Sequence, residues 1–410
     1  MAFDISKSFR PDLPPPAPAP WSGFPPYNFI GGHNNAEAVP VAELTEAAAA
    51  VLKREGHTLA TYGLNSGSQG YRPLREAVAD LLQSRAGMPC SADEVMITSG
   101  SLQALDLVNA VFLQPGDTVV VEEATYGGTM TRLKARGVNY VGVALDGDGI
   151  RIDSLRSVLG GLKDKGVKPK FIYTIPTVQN PTASVMPTER RVELLRVAAE
   201  FDVPIFEDDC YADLIWEGER PPAIRALDQD GRVVYCGSFS KSIAPALRVG
   251  YVVADWAVMR QIIPLKTDAG SGALEQMVLA EYVPGRFERH VDELRVALKR
   301  KASVMVEAVA ENFGASAEFS MPKGGIFLWV TLPEQVDTTK LFQAAQAEGV
   351  AINPGAEWSA DPAAGRSRLR LCFAYPSEKV IREGVAKLAD ICNREFGVPV
   401  RSGNVERGAS

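Results

Sequence analysis

One lysine stands without a local counter-charge. Lys241 lies in GSFSKSIAPALRVGY (237–251) among Ser238, Ser240 and Ser242, and no Asp or Glu falls within six residues on either side. An amine with no carboxylate beside it gives up its proton more readily, and can then act as nucleophile or base. Arg248, seven residues further on, offers a planar fork of donors that suits an anion. Each has a plainer explanation taken alone: a solvated lysine in a polar loop, and a structural arginine at a strand start.

Other polar groups call for the same weighing. TSGSLQALDLV (98–108) puts Gly100, Ser101 and Gln103 at the start of a helical pattern. Free N–H groups and the helix dipole there favour a phosphate, although a serine N-cap accounts for the same residues. QNPTAS (179–184) carries Asn180 in an Asn-Pro turn that ordinary turn chemistry also explains. EDDCY (207–211) closes an apolar run with Asp208 and Asp209. Carboxylates in such a place are costly to bury unless a cation faces them.

The elements that must position these residues alternate. Strand patterns appear at 94–99, 118–123, 140–145, 171–176, 203–208, 232–237 and 250–255, several of them continuous apolar runs of the kind buried on both faces. Helical patterns such as 101–113 and 188–201 separate them. The expectation is an α/β fold, a mostly parallel sheet sandwiched by helices. Residues 290–313 then carry Val291, Leu294, Leu298, Ala302, Met305 and Val309 at helical spacing, followed by strands at 325–332, 350–354 and 368–375 and a final helix. These predict a smaller α+β C-terminal domain over 285–410. Residues 28–284 hold the large domain, and 1–27 form an arm extended by Pro14, Pro15, Pro16, Pro18 and Pro20.

Gly100 with Ser101, Tyr126, Asn180, Asp208 and Lys241 each fall at or just after a strand end. Open α/β sheets bind ligands outside the carboxyl ends of their strands, so five loops converge on one crevice. Together they describe a ligand with a phosphate, a protonatable ring nitrogen facing an acid, and an aldehyde facing an amine. Pyridoxal 5′-phosphate has these three features: lysine forms the imine, and an aspartate keeps the pyridinium charged.

At this point the sequence resembles the fold-type I pyridoxal-phosphate-dependent aminotransferases, and within them the 2-aminoadipate, kynurenine and multi-substrate aromatic branch. Eight motifs occur in the family's order over residues 28–398: GYRPLREAVA, SGSLQALDLV, EEATYGG, PTVQNPT, FEDDCYADL, GSFSKSIAPALRVGY, PKGGIFLW and RLRLCF. The resemblance implies that Lys241 holds the cofactor as an internal aldimine and later moves the substrate proton. It implies that Asp208, chosen over Asp209 by its spacing to Tyr211, pairs with the pyridinium nitrogen. Asn180 and Tyr211 would bond the ring hydroxyl and Tyr126 would stack on the ring. Ser101, Leu102, Gln103, Ser238, Ser240 and Arg248 would line the phosphate site. Arg370, with Asn180 and Gly32, would receive the substrate carboxylate, and Arg368 would stay a solvated edge residue. Family members build their sites at a subunit interface, so a homodimer is expected.

Three departures stand out. Ala183 replaces the glycine of the usual Asn-Pro-Thr-Gly turn. TYGLNSGSQGY (61–71) lengthens the spacing after Tyr62, a doubtful phosphate ligand. His33, Asn34 and Asn35 replace an apolar residue, Pro and Asp, which gives His33 either a part in side-chain specificity or a structural role.

The chain has 410 residues and a formal charge of -7, which argues against nucleic acid or an anionic membrane as partner. Its five cysteines and three histidines show no zinc or disulfide spacing, the start has no signal-peptide core and no run spans a membrane, so a cytoplasmic enzyme is expected. Ser238-Phe-Ser-Lys241 also fits the Ser-x-x-Lys of acyl-transfer enzymes, but Pro245 and the following strand disfavour the helix which that motif opens. A ligand-sensing regulator would need a DNA-binding domain ahead of the fold, for which the arm is too short. The reading is a ping-pong aminotransferase, with another pyridoxal-phosphate reaction (lyase, decarboxylase or racemase) as the alternative; no metal is implied.

Overall fold

The computed structural model describes residues 4–11, 13, 16 and 20–400. Of the expected extended arm, Pro14, Pro15 and Pro18 lie outside the described residues. The central sheet has seven strands. They are β1 (Val95–Thr98), β2 (Thr118–Glu122), β3 (Asn139–Val143), β4 (Ile172–Thr174), β5 (Ile205–Asp208), β6 (Val233–Ser238) and β7 (Gly250–Val253). Their order is β1-β7-β6-β5-β4-β2-β3. All neighbours run parallel except β7, which is antiparallel to both β1 and β6.

The apolar runs form strands because both sheet faces are covered. Val119 and Val121 enter one core with Leu105 of helix α1 (Ser101–Phe112) and Leu133 of α2 (Gly127–Ala135). Val120, between them, enters the opposite core with Leu194 and Val197 of α3 (Thr188–Glu200). The period of two along β2 therefore feeds two layers, and polar side chains are left to the strand ends.

The long helix α4 (Ala273–Phe313) is broken at Pro284 and Gly285, where Pro284 has ψ 118° and Gly285 φ 81°. Proline cannot donate to the helical ladder, and glycine accepts the left-handed turn that follows. Beyond the break, Leu298 and Met305 pack with Phe327, Leu371 and Val385 around a three-stranded antiparallel sheet. Its strands are β8 (Phe327–Thr331), β9 (Asn353–Pro354) and β10 (Arg368–Cys372), with β10 in the middle, and α5 (Glu378–Phe396) covers them. The expected strand 350–354 is split, because Val350–Ala351 pairs instead with Tyr27–Asn28 in a parallel bridge. Phe29 is buried in this C-terminal core, so the segment 27–32 is carried past the strand ends of the large sheet.

Candidate active site

A cleft of about 300 Å³ opens at the carboxyl ends of the central strands, between them and the small sheet. Lys241 enters it from the loop after β6. Its Nζ donates to the Gly32 carbonyl at 2.6 Å. Burial lowers its proton affinity to about 8, with the charges of Arg370 and Arg248 adding to the effect and Cys210 and Cys372 opposing it. No carboxylate of the described residues pairs with it, so nothing restores the charge that burial removes.

The two acids of EDDCY part company. Asp209 is held by Arg220 at 2.8 Å and by the Tyr235 hydroxyl at 3.0 Å, away from the cleft. Asp208, at the end of β5, lines the cleft. Its Oδ2 accepts from the Tyr173 hydroxyl at 2.6 Å, while Oδ1 is buried without a partner. Burial raises its proton affinity, and hydrogen bonds from Cys210 and Tyr173 oppose that rise. An orphaned carboxylate oxygen of this kind is a place for a cationic or N–H partner.

Arg370, in the middle strand of the small sheet, donates to the Asn180 side-chain oxygen and to the Gly31 carbonyl, each at 2.9 Å. Its guanidinium lies 3.7 Å from the centre of the Trp358 ring, and its Nε is buried and unpartnered. Asn180 in turn donates to the Tyr211 hydroxyl at 3.3 Å. The turn that delivers Asn180 is strained: Val178 has φ 57° and Ala183 φ 61°. Ala183 thus keeps the left-handed backbone that a glycine would adopt freely, at a cost of about 1–2 kcal/mol. Glu122 braces the turn from below, bonding Gln179, Thr174 and the Ile175 N–H, and burial pushes its carboxyl up to about 7.

At the other end of the cleft, Gly100 with φ 74° caps α1 without a side-chain hydrogen bond, which leaves the first N–H groups of that helix open. Ser101 and Leu102 line the cleft there with Ser238, Ser240 and Arg248. Arg248 has φ 56° and donates to the Ser99 carbonyl at 3.0 Å. Gly100 pairs φ 74° with ψ 172°, a backbone essentially restricted to glycine, so glycine is required at that position. Tyr126, at the start of α2, completes the wall beside Trp358, their ring centres 5.8 Å apart.

Not every expected residue meets the others. Gln103 accepts from the Ser99 N–H at 2.7 Å and donates to Asp268 at 2.6 Å, which turns it away from the cleft. Tyr62 is 88% exposed and lies outside the cleft lining, and His33 packs between Phe24 and Tyr375 behind Gly31. Cys210, Ile175, Asn353 and Trp358 line the cleft without having been anticipated. Of the missed groups, Tyr173 had a legible signal, since a phenol inside an apolar strand needs a polar partner.

An amine, an acid and an uncapped helix start, each carried by a strand end of a mostly parallel sheet, define the fold-type I class of group-transfer enzymes. The chain belongs to the class I and II aminotransferases, whose family description matches residues 32–388. It is 36% identical to the aromatic-amino-acid aminotransferase 1 of Thermococcus litoralis, over 90% of this chain and 88% of that one. It is 34% identical to the 2-aminoadipate transaminase of Thermus thermophilus, over 88% of each. The crystal structure of the multiple substrate aminotransferase from Thermococcus profundus superposes with a TM-score of 0.84 at 36% identity, covering 90% of this chain and 91% of that one. This protein is accordingly an aminotransferase.

Proposed function

We propose that the reaction runs on pyridoxal 5′-phosphate held in this cleft, and moves the amino group of an α-amino acid to a 2-oxo acid in two successive half-reactions. The observation that carries the reading is the buried Lys241 amine, its proton affinity lowered to about 8, in the same cleft as the orphaned Asp208 oxygen. The residues present fit the group. Asp208 Oδ1 lacks the partner that a ring N–H would supply, and the open start of α1 beside Arg248 suits a phosphate.

When bound, the cofactor supplies an aldehyde that captures the amino group and a ring that accepts the electron pair released at Cα. The chain supplies the rest. Lys241, neutral in part near pH 8, would hold the cofactor and would carry the proton that leaves Cα. Asp208 would keep the ring nitrogen protonated, and Tyr126 would pack against the ring. The N–H groups at Ser101 and Leu102, with Ser238, Ser240 and Arg248, hold the phosphate. Arg370, aimed by Asn180, Gly31 and Trp358, grips the substrate α-carboxylate, and its free Nε allows a second contact. We further propose a large domain to residue 284 and a small one beyond it, a homodimer, and a cytoplasmic location.

Initial rates measured with amino acid and 2-oxo acid varied together test this reading. Parallel reciprocal plots are expected, because the first product leaves before the second substrate enters. Intersecting plots would overturn the two-step reading.

A further inference from the structure

Two cysteines lie close to Asp208, Cys210 in the cleft wall and Cys236 buried behind it, and strand register accounts for the second. Asp208 on β5 lies opposite Cys236 on the parallel neighbour β6, so both side chains leave the sheet on one face. Cys210, two residues beyond Asp208, sits in the turn that follows the strand and brings its Sγ back toward them. One carboxylate oxygen and the two Sγ atoms lie within 4.8 Å of one another. Both cysteines are free thiols; Cys236 is buried and Cys210 lines the cleft. Buried thiols often serve only as small apolar fillers. Here the third member is the Asp208 carboxylate, which lines the same cleft as Cys210, so the three donors lie within reach of a single small cation.

We propose that Asp208, Cys210 and Cys236 bind one thiophilic divalent cation, of the zinc and cadmium kind, when the cleft holds no cofactor. Tetrahedral zinc sets sulfur at about 2.3 Å and oxygen at about 2.0 Å, which spaces the donors about 3.5–3.8 Å apart. From separations of at most 4.8 Å, the donors need to close by at most about 1.0–1.3 Å. Sulfur donors select zinc or cadmium over magnesium and calcium. The fourth position faces the cleft and takes water. Binding converts two thiols into thiolates and releases two protons, leaving a site of one net negative charge near Lys241 and Arg370.

Resting on the reading that Asp208 meets the ring nitrogen, cation and cofactor exclude one another, and the cation blocks loading of the enzyme rather than its turnover.

The test titrates the full chain, freed of pyridoxal phosphate, with cadmium chloride and follows the sulfur-to-cadmium absorption in the ultraviolet. The expected result is a band that saturates at one ion per chain with two protons released. The band is lost in C210A and in C236A, and is absent when the chain is loaded with pyridoxal phosphate first. C210A alters the more exposed thiol, and thermal unfolding checks that each variant is folded. The absence of a band in the unmutated chain, or a band that survives in C210A, overturns the site. A band that forms equally in the loaded chain keeps the cation site and overturns instead the placing of the ring nitrogen against Asp208.

Discussion

Replacing Gly32 by alanine sets a methyl carbon 2.5 Å from the Lys241 Nζ and 3.4 Å from its Cε. Gly32 is absent from the left-handed glycines, so its backbone accepts alanine without strain. Ordinary contact needs about 3.5 Å, so the amine must move by about 1 Å. It ends a flexible side chain, and the fold absorbs that shift; the melting temperature should stay within about 2 °C. The chemistry does not absorb it. A misplacement of about 1 Å costs on the order of 100-fold in rate, or about 2.7 kcal/mol. Stopped-flow measurement of the first half-reaction on G32A, loaded with pyridoxal phosphate, reads this directly. G161A, in a helix with nothing near the new methyl, should keep the normal rate. A G32A rate within threefold of the unmutated enzyme would refute the claim that the Gly32 backbone aims the amine.

Asp208→Asn removes the charge that holds the ring proton, so the half-reaction should slow by about 100-fold to 1000-fold while pyridoxal phosphate still binds, as stopped-flow and absorbance titration would show. Arg370→Lys loses the forked contact and the stacking on Trp358, a charge-assisted bond of about 1.5–3 kcal/mol. KM for the amino acid should then rise about 10-fold to 100-fold with cofactor affinity unchanged. Lys241 is ordinary at 10.5 when unfolded and about 8 when folded. Between those values the unfolded chain binds more protons, so stability of the cofactor-free protein rises with pH across that window. Lys241→Met should therefore stabilise the cofactor-free chain at pH 7 by up to about 3 kcal/mol, a gain that fades toward pH 10.5 in urea titrations.

The large sheet was legible because its strands are buried on both faces, which writes them as unbroken apolar runs such as Val119–Val121. The same burial pushes functional polar groups to strand ends, where Asp208, Asn180 and Lys241 stood out by contrast. Long-range pairings left no such trace. Nothing in PYNFIGG (26–32) announces that Tyr27–Asn28 bridges to Val350–Ala351, some 320 residues away. Gln103 looked like a phosphate ligand by its place on α1, but its partner Asp268 lies in a distant loop. Trp358 reaches the site through tertiary packing, and its residue type carries no spacing rule that would have flagged it. Ala183 shows the reverse case: the glycine is lost, yet the surrounding turn holds its backbone in the left-handed region.

The central claim is that Lys241 presents its amine to a cofactor that then accepts an amino group. A single turnover tests it most directly: the protein loaded with pyridoxal phosphate is mixed with a panel of amino acids and no 2-oxo acid. The account predicts conversion of the bound cofactor to its pyridoxamine form with one 2-oxo acid released per site, and no such conversion in K241A. Loss of carbon dioxide, ammonia or optical purity from the substrate, with the cofactor unchanged, would contradict it.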